Sequence, residues 1–460
     1  MIQKRKENLL FSVAGARGIV GQGMTIDTAV RLSLAFCSTL PRGSVVVGRD
    51  TRPSGESLKS GVVGAVTATG RECVDVGVAT TPTVEITVEK LDAVGGIIVT
   101  ASHNPVEWNA LKFLDSRGTF ISKSVGQEVY DAYVNERFSF CDARSTGRVA
   151  RYHQSARDHI DGVLGLGILD VNLIRRRSLR VVVDAINGAG SVIAPDLLRE
   201  LGATVMTMNC KTDGDFYRDP EPRVENLGEL AEKVKSEKAD LGFALDPDGD
   251  RLAIVDETGK PIGEEYTLAL AIDEVLGAEK KGPVVVNLST SAVVDWIADR
   301  HGVGVIRTPV GEAHVVDAML REGAVIGGEG NGGVIYPALH PGRDGILGMA
   351  LILQLLASRN VTLSQQVGRY PAFHMSKSKM KWDMEFSAER ISALIRGLGP
   401  VRIDVQDGVK AVFDDGWFHV RVSNTEGVVR VLAESLSPAR TGELVRTARE
   451  ILDASRGAPS

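Results

Sequence analysis

Four polar segments of this 460-residue chain contain residues whose types and spacing could do chemistry. The first, residues 100–105 (TASHNP), follows the apolar run 97–99. One interpretation is a simple turn, because Asn-Pro favours turns. The other is a nucleophilic hydroxyl at Ser102, since a reactive serine needs an activating base or a metal-stabilised partner and His103 stands beside it.

The second segment, residues 246–251 (DPDGDR), carries three alternating carboxylates, Asp246, Asp248 and Asp250. Carboxylate oxygens are ligands for Mg²⁺ or Ca²⁺. An EF-hand is excluded, because Arg251 occupies the position of the sharp-turn glycine and the flanks are predicted to be strands. The alternative is a solvated acidic turn, but three like charges between apolar strands would repel one another without a cation. We therefore expect Mg²⁺, with coordination positions left for a phosphate.

The third segment, residues 327–333 (GGEGNGG), interrupts two strand-like runs. Its one acid, Glu329, and its one amide, Asn331, suit the paired hydroxyls of a sugar.

The fourth segment, residues 421–430 (RVSNTEGVVR), places Arg421 and Arg430 on either side of short polar donors. Forked guanidinium groups and small donors suit a phosphate dianion. The alternative is a capped helix start, with Ser423 or Asn424 as the N-cap. Both could hold, because helix N-termini bind phosphate.

Short apolar runs precede these loops and must position them. They are continuous and rich in β-branched residues, as in strands buried on both faces of a parallel sheet. Predicted strands begin the segments 45–50, 96–105, 181–190, 241–251, 284–291, 304–314 and 324–333, each of which ends in a polar or Gly-rich loop. Predicted helices lie at 25–40, 227–236 and 266–276. Ligands of open α/β sheets bind beyond the carboxyl ends of the strands. The polar loops are therefore expected to face one site, or equivalent faces of several domains.

Composition narrows the class of protein. A formal net charge of −6 with 5% aromatic residues gives no nucleic-acid footprint and no basic membrane-binding surface. No apolar run reaches the length of a membrane span. The four cysteines are scattered without a CxxC pair, so a zinc site is not expected, and Cys37 and Cys73 are predicted to lie in the core. We expect a reducing cytoplasm.

The four loops together supply a nucleophile (residues 100–105), a metal site (246–251), a site for sugar hydroxyls (327–333) and a phosphate-binding site, here called the phosphate cradle (421–430). A phosphoryl shuttle needs such a separate cradle, because remote binding of a second phosphate orients the reacting end. With the four motifs in that family's order along essentially the whole chain, the sequence resembles the α-D-phosphohexomutase family. It is most similar to the branch of phosphoglucosamine mutases and dual phosphoglucomutase/phosphomannomutases.

The resemblance implies an α/β fold of three related α/β domains, with mixed, mostly parallel sheets, plus a C-terminal α+β domain around a central cleft. The implied domains are 1–148 with the phosphoserine loop, 149–256 with the metal loop, 257–370 with the sugar loop and 371–460 with the phosphate cradle. The antiparallel alternation near residues 416–435 agrees with a different last domain.

The resemblance also implies a phosphohexomutase that interconverts 6-phospho and 1-phospho hexoses. Ser102 would be a phosphoserine, and Mg²⁺ would be held by Asp246, Asp248, Asp250 and the Ser102 oxygen. A hexose 1,6-bisphosphate would be the intermediate and activator. Glucosamine 6-phosphate is the expected substrate, with phosphomannomutase/phosphoglucomutase activity as the alternative and a non-catalytic sugar-phosphate-binding protein as a remoter one. No nucleic-acid or membrane partner is expected, and a homodimer is allowed.

Further roles follow from the same resemblance. Arg17 and Arg251 would approach the reacting phosphate, and His103 and Lys112 would transfer or orient protons. Gly311, Glu329 and Asn331 would face the sugar. The non-reacting phosphate would be held by Arg421, Ser423, Asn424, Thr425 and Arg430.

The chain departs from the family's usual pattern at four positions. Val422 and Gly427 stand where proline is usual, which predicts a looser cradle. Asn331 stands where many members have serine, and Gly333 where many have histidine.

Overall fold

The computed structural model of the protein describes residues 5–6, 9–12, 15–278, 281–423 and 427–456, with the backbone alone at 5–6. Two of the predicted phosphate-binding residues, Asn424 and Thr425, lie outside the described residues.

The first sheet mixes parallel and antiparallel strands. Its strands are β1 (Arg5–Lys6), β2 (Leu9–Ser12), β3 (Gly15–Ile19), β4 (Val45–Arg49), β5 (Cys73–Val78), β6 (Gly95–Val99), β7 (Trp108–Leu114) and β8 (Val149–Arg151). The helices beside it are α1 (Ile26–Thr39), α2 (Gly55–Ala68), α3 (Thr81–Lys90) and α4 (Lys123–Val134). The spatial order is β1-β2-β3-β7-β6-β4-β5-β8, with β6, β4, β5 and β8 parallel. Side-chain caps from Thr25, Thr80 and Ser122 start α1, α3 and α4.

The second sheet follows two helices, α5 (Ser155–Leu164) and α6 (Val171–Arg177). It contains β9 (Arg180–Asp184), β10 (Thr204–Met208), β11 (Leu241–Leu245) and β12 (Leu252–Asp256), with α7 (Ala194–Glu200) and α8 (Gly228–Glu237) between strands. Its order is β10-β9-β11-β12, and only the pairing of β11 with β12 is antiparallel among these described strands.

The third sheet repeats this plan. After α9 (Glu264–Gly277) come β13 (Val284–Asn287), α10 (Val293–His301), β14 (Val305–Thr308), α11 (Glu312–Glu322), β15 (Ile326–Glu329), β16 (Gly333–Tyr336), β17 (His340–Arg343), α12 (Gly345–Arg359) and α13 (Leu363–Val367). The order is β14-β13-β15-β16-β17, parallel across β14, β13 and β15.

The fourth sheet is antiparallel throughout its described strands. These are β18 (His374–Lys381), β19 (Arg402–Asp404), β20 (Val409–Phe413), β21 (Gly416–Val422) and β22 (Val428–Ser435), in the order β18-β22-β21-β20-β19. Helices α14 (Ala388–Arg396) and α15 (Pro438–Arg456) cover one face. Burial alternates along much of the edge strand β18, whereas β21, inside the sheet, is buried continuously from Trp417 to Arg421.

The second and third sheets share one continuous core, whereas the fourth sheet has its own. Helix α12 lies in the shared core and is buried along nearly its whole length, because its sequence is apolar on every side. This packing joins the metal loop, which follows β11, to the sugar loop, which follows β15. Among the described residues, no helix combines the length and the apolar character needed to cross a membrane.

The predicted elements are found close to where the sequence places them. The three predicted helices correspond to α1, α8 and α9, and the apolar runs become β4, β6, β9, β11, β13, β14 and β15. The fold class is confirmed: three related α/β units with mixed sheets and a C-terminal antiparallel unit. Cys37 and Cys73 are buried, as predicted.

Candidate active site

The loop that follows β6 holds Ser102 in a left-handed backbone conformation, with φ of 48°. A non-glycine residue keeps such a conformation only where its surroundings enforce it. The buried guanidinium of Arg52 does so, because it donates to the backbone carbonyls of Ser102 and Asn104 and pairs with Asp50 at 3.0 Å. The hydroxyl of Ser102 is thereby presented on a rigid turn at the end of a buried strand.

The hydroxyl of Ser102 meets both an acid and an imidazole. Its Oγ donates to Asp246 Oδ2 at 2.8 Å and lies 3.4 Å from His103 Nδ1. Burial, together with the positive charges of Arg251 and Arg17, lowers the pKa of His103 well below its usual value. The imidazole of His103 is therefore uncharged near neutral pH.

The three aspartates occupy the loop between β11 and β12. Gly249 turns the loop with φ of 69°, where a Cβ would lie 2.7 Å from Thr80. Ligand oxygens of Asp246, Asp248 and Asp250 all lie within 4.8 Å of one another, and all three residues are buried. Burial and the two neighbouring carboxylates raise the pKa of Asp246 well above its usual value.

This carboxylate cluster fits a divalent cation. Among the described residues, Asp248 Oδ1 and Asp250 Oδ1 are buried without a hydrogen-bond partner. Buried carboxylate oxygens are costly unless a donor or a metal satisfies them. Three hard oxygens beside a serine hydroxyl are the donor set that Mg²⁺ accepts while keeping positions for phosphate oxygens.

Two basic side chains neutralise part of this charge. Lys112 Nζ lies 2.8 Å from Asp248 Oδ2, and Arg343 Nη2 lies 2.6 Å from Asp250 Oδ2. Burial by itself would lower the pKa of Lys112, but Asp248 and Asp250 raise it above its usual value. Lys112 therefore stays charged and can orient an anion beside Ser102.

The sugar loop is fixed by Glu329 at the end of β15. Its Oε1 accepts from Asn287 Nδ2 at 2.8 Å and from the Gly311 backbone N–H at 3.0 Å, while Oε2 accepts from Arg343 at 2.9 Å. Burial opposes ionisation, but Arg343 and Asn287 lower the pKa of Glu329 below its usual value. Glu329 is an ionised acceptor, and it also fixes the turn that contains Gly311.

Arg343 explains one departure from the family's usual pattern. A Cβ at Gly333 would lie 2.4 Å from Arg343 Cδ. The space that a larger side chain at position 333 would need is filled by this arginine. Glycine at 333 and arginine at 343 therefore form a packing pair.

On either side of residues 424–426, the phosphate segment consists of two paired antiparallel strands. Arg421 in β21 lies directly opposite Arg430 in β22, and the Ser423 backbone N–H donates to the Val428 carbonyl at 2.8 Å. The alternative of a helix start capped by Ser423 is therefore wrong, and Asn424, the other predicted cap, lies outside the described residues. Residues directly opposite each other in an antiparallel pair lie on the same face of the sheet, so two guanidinium groups are presented side by side, which suits a phosphate dianion.

A single cleft of about 810 Å³ brings the loops together. Ten of the site residues predicted from the sequence line it: Arg17, Ser102, His103, Lys112, Arg251, Gly311, Glu329, Asn331, Arg421 and Arg430. The three aspartates lie buried beneath Ser102, and Ser423 is buried outside the described lining.

Several residues that line the cleft were not predicted from the sequence. Lys377 and Lys379 line it from β18, and Lys377 Nζ lies 2.9 Å from carboxylates of Glu264 and Glu265. The alternation of lysines in HMSKSKMK was a signal for a basic sheet face. Glu221, which pairs with Arg251 at 3.2 Å, gave no such signal, because it lies in an irregular loop.

Comparison with family models agrees with this layout. Models of phosphoglucomutase/phosphomannomutase match the chain in four successive parts: α/β/α domain I at residues 8–140, domain II at 157–259, domain III at 263–373 and the C-terminal domain at 377–451.

Individual relatives match over nearly the full length. A phosphoglucomutase/phosphomannomutase of Thermococcus kodakarensis is 37% identical, covering 96% of this chain and 98% of the relative. A probable phosphoglucosamine mutase of Methanopyrus kandleri is 36% identical, covering 94% and 95%. The crystal structure of a phosphoglucomutase/phosphomannomutase family protein from Burkholderia thailandensis superposes with a TM-score of 0.86 at 27% identity, covering 98% of each chain.

Proposed function

The chain belongs to the phosphoglucomutase/phosphomannomutase family and is a phosphohexomutase, and we propose that it interconverts glucosamine 6-phosphate and glucosamine 1-phosphate. One observation carries the proposed chemistry. A serine hydroxyl, held on a rigid turn against a buried carboxylate cluster, shares its cleft with two arginines on the fourth sheet.

We propose that Ser102 carries the transferable phosphoryl group. Asp246, Asp248 and Asp250, together with an oxygen on Ser102, would hold Mg²⁺. That ion would neutralise charge on the phosphoryl oxygens during transfer. The positive charges of Lys112, Arg17 and Arg251 surround the same position, and Lys112 stays protonated because of its two aspartate neighbours.

In the transfer step, a hydroxyl oxygen of the bound sugar phosphate forms a new P–O bond as the bond from phosphorus to Ser102 Oγ breaks. The hydroxyl proton passes to the neutral imidazole of His103. The imidazolium of His103 then gives this proton to the departing Ser102 Oγ, so the products are a hexose 1,6-bisphosphate and a serine hydroxyl. After the bisphosphate has turned over in the cleft, Ser102 Oγ forms the new bond to the other phosphorus, its proton passes to His103, and His103 gives that proton to the sugar oxygen as its P–O bond breaks.

The rest of the cleft would hold the sugar in either orientation. Glu329, Asn331 and the Gly311 turn would accept and donate to sugar hydroxyls. Arg421 and Arg430, with Ser423, Asn424 and Thr425, would bind the phosphate that does not react. Binding of this remote phosphate orients the reacting hydroxyl, and the binding energy accelerates the transfer because it fixes that orientation.

The relatives leave two candidate substrates. The Thermococcus kodakarensis relative is named for glucose and mannose phosphates, whereas the Methanopyrus kandleri relative is named for glucosamine phosphate. One hydroxyl or amine distinguishes these sugars. In a forgiving site such a difference is worth about 1–3 kcal/mol.

A ³¹P NMR assay tests the proposal. The protein, Mg²⁺ and a trace of sugar 1,6-bisphosphate are mixed with glucosamine 6-phosphate, glucose 1-phosphate or mannose 1-phosphate. Fast conversion of the glucosamine phosphate alone is the expected result. Comparable conversion of the glucose and mannose phosphates would instead favour the phosphoglucomutase/phosphomannomutase alternative.

The same assay distinguishes two alternative functions, a phosphatase and a non-catalytic sugar-phosphate-binding protein. A phosphatase would release inorganic phosphate steadily, whereas a mutase keeps the phosphate on the sugar. A sugar-phosphate-binding protein would move no phosphate at all.

We also propose a cellular location and an oligomeric state for the protein. All four cysteines are free thiols, which suits a reducing cytoplasm. A homodimer stays a prediction, and analytical ultracentrifugation would test it.

A further inference from the structure

We propose that Asp407 is a positioning residue, which ties the phosphate-binding Arg421 to the sugar-facing turn at Val310–Gly311. This inference rests on the proposed function, because it assigns a use to the same cleft. Asp407 lies in the turn between β19 and β20 of the fourth sheet, whereas Val310 belongs to the third sheet's loop after β14.

One carboxylate oxygen makes both contacts. Asp407 Oδ2 accepts from Arg421 Nε at 2.8 Å and from the Val310 backbone N–H at 3.1 Å. The side chains of Asp407 and Arg421 are only 14% and 8% exposed. A guanidinium held through its Nε keeps its plane fixed, so the rest of its fork is aimed by Asp407.

The turn that carries Asp407 is built to lie against β21. Gly408 has φ of 72°, and a Cβ there would lie 2.2 Å from the Val420 carbonyl oxygen. Only glycine allows this approach of turn to strand. The carboxylate is therefore placed beside Arg421 by backbone packing as well as by its own hydrogen bonds.

A second link fixes the backbone of the same turn. The Asp407 carbonyl oxygen accepts from His419 Nε2 at 2.6 Å, and His419 Nδ1 lies 3.0 Å from Ser289 Oγ. A carbonyl can only accept, so Nε2 carries the proton and Nδ1 accepts from the serine hydroxyl. Ser289 follows β13, which means that this link also runs from the fourth sheet to the third.

On the sugar side, the turn is held from both ends. Val310 donates to Asp407, and the next residue, Gly311, donates to Glu329 Oε1 at 3.0 Å. A change in the position of Arg421 is therefore transmitted through one carboxylate to the backbone beside the sugar-reading Glu329. Phosphate binding and sugar recognition should then be coupled, and such coupling is measurable as a free energy shared by both sites.

A double-mutant cycle tests the phosphate side. Calorimetry would measure the Kd of glucosamine 6-phosphate for the wild type, Asp407→Ala, Arg421→Lys and the double variant. We expect Asp407→Ala to raise the Kd about tenfold. The Kd of the double variant should lie within about twofold of the Kd of Arg421→Lys alone, because the effects of residues that act through each other are not additive. Additive losses would overturn the proposal.

The sugar side has its own readout. In the mutase assay, Asp407→Ala should change the ratio between the kcat/KM for glucosamine 6-phosphate and the kcat/KM for mannose 1-phosphate. If Asp407 only stabilised the fold, this ratio would stay the same. An equal loss for both sugars would contradict the link to Val310. Asp404→Ala is the matched control, since Asp404 lies three residues away and its carboxylate bonds to Gln406.

Two safeguards keep the test decisive. If Asp407→Ala fails to fold, Asp407→Asn keeps the volume and one acceptor oxygen, and the same cycle is run with it. If the wild type is an active mutase but the losses of affinity in Asp407→Ala and Arg421→Lys are additive, the positioning role of Asp407 is wrong and the proposed function stands. A wild type that binds sugar phosphate without isomerising it would overturn the proposed function, while the binding cycle would still decide the link between Asp407 and Arg421.

Discussion

The two ends of the cleft are built in different ways. At the Ser102 end, loops from three sheets meet, and their charged groups pack against one another: the buried Asp246, Asp248, Asp250 and Arg343 and the partly buried Lys112. At the other end, two paired strands of an antiparallel sheet present Arg421 and Arg430, and a single carboxylate, Asp407, positions the first of them.

The difference matches two demands of the proposed reaction. Phosphoryl transfer depends on fixed positions and on charge neutralisation, so the transfer end gains from a network that holds every group. The phosphate end must release one phosphate and receive the other when the bisphosphate turns over. Substitutions at the transfer end should therefore lower kcat, and those at the phosphate end should mainly raise KM.

The largest effect is expected at Ser102. Ser102→Ala removes the group that would carry the phosphoryl, and kcat should fall at least ~1,000-fold. The ³¹P NMR assay measures it, with Ser116→Ala, on an exposed turn of the same domain, as the control. Full activity of Ser102→Ala would refute the phosphoserine mechanism.

A somewhat smaller effect is expected in the metal loop. Asp248→Asn removes one charged ligand, and kcat should fall about 100-fold with a weaker dependence on Mg²⁺. Titration of activity with Mg²⁺ after EDTA treatment measures both. Asp299→Asn, at an exposed position of α10, should behave as wild type. If EDTA leaves the activity of the wild type untouched, the metal assignment is wrong.

At the phosphate end, Arg421→Ala should act mainly on binding, with a smaller loss of kcat because the remote phosphate also orients the reacting hydroxyl. Loss of a charge-assisted hydrogen bond should raise the Kd for glucosamine 6-phosphate about 10- to 100-fold. Binding of free glucosamine, which lacks the phosphate, should hardly change. Calorimetry with both ligands decides, with Arg449→Ala on the exposed side of α15 as the control. Equal losses for the two ligands would place Arg421 outside the phosphate site.

The smallest effect concerns stability near the phosphate end. Burial lowers the pKa of His419 to about 4, so between about pH 6.5 and 4 the unfolded chain binds a proton that the folded chain does not. The free energy of unfolding should therefore fall as the pH falls, by about 2 kcal/mol between pH 7 and pH 5 from this residue.

Urea unfolding followed by tryptophan fluorescence at both pH values measures this loss. In His419→Gln that part of the pH dependence should disappear, whereas His153→Gln, at an exposed site, should keep it. An unchanged pH dependence in His419→Gln would show that folding does not lower the pKa of His419.

Much of the site could be predicted because its chemistry is local in sequence. Asp246, Asp248 and Asp250 come from one six-residue turn, and the apolar runs on either side already indicated the strands that hold it. The sequence of residues 421–430 is compatible with two structures, since a Ser-Asn pair suits a helix cap as well as a turn. Only the pairing of β21 with β22 decided between them.

Other residues could not be predicted, because their partners are distant in sequence. Arg52 holds the Ser102 turn from 50 residues away, and Asp407 reaches Val310 across 97. Arg343 likewise makes contacts with Glu312, Glu329 and Asp250 that join three separate segments.

The sequence by itself determined the types of chemistry and the elements that carry them, since β-branched runs, turn residues and clustered carboxylates act over a few residues. Only the tertiary structure decided that Ser102, Glu329 and Arg421 face one cleft. It also decided which charges are neutralised there, because burial and the partners of each group depend on how the four sheets pack.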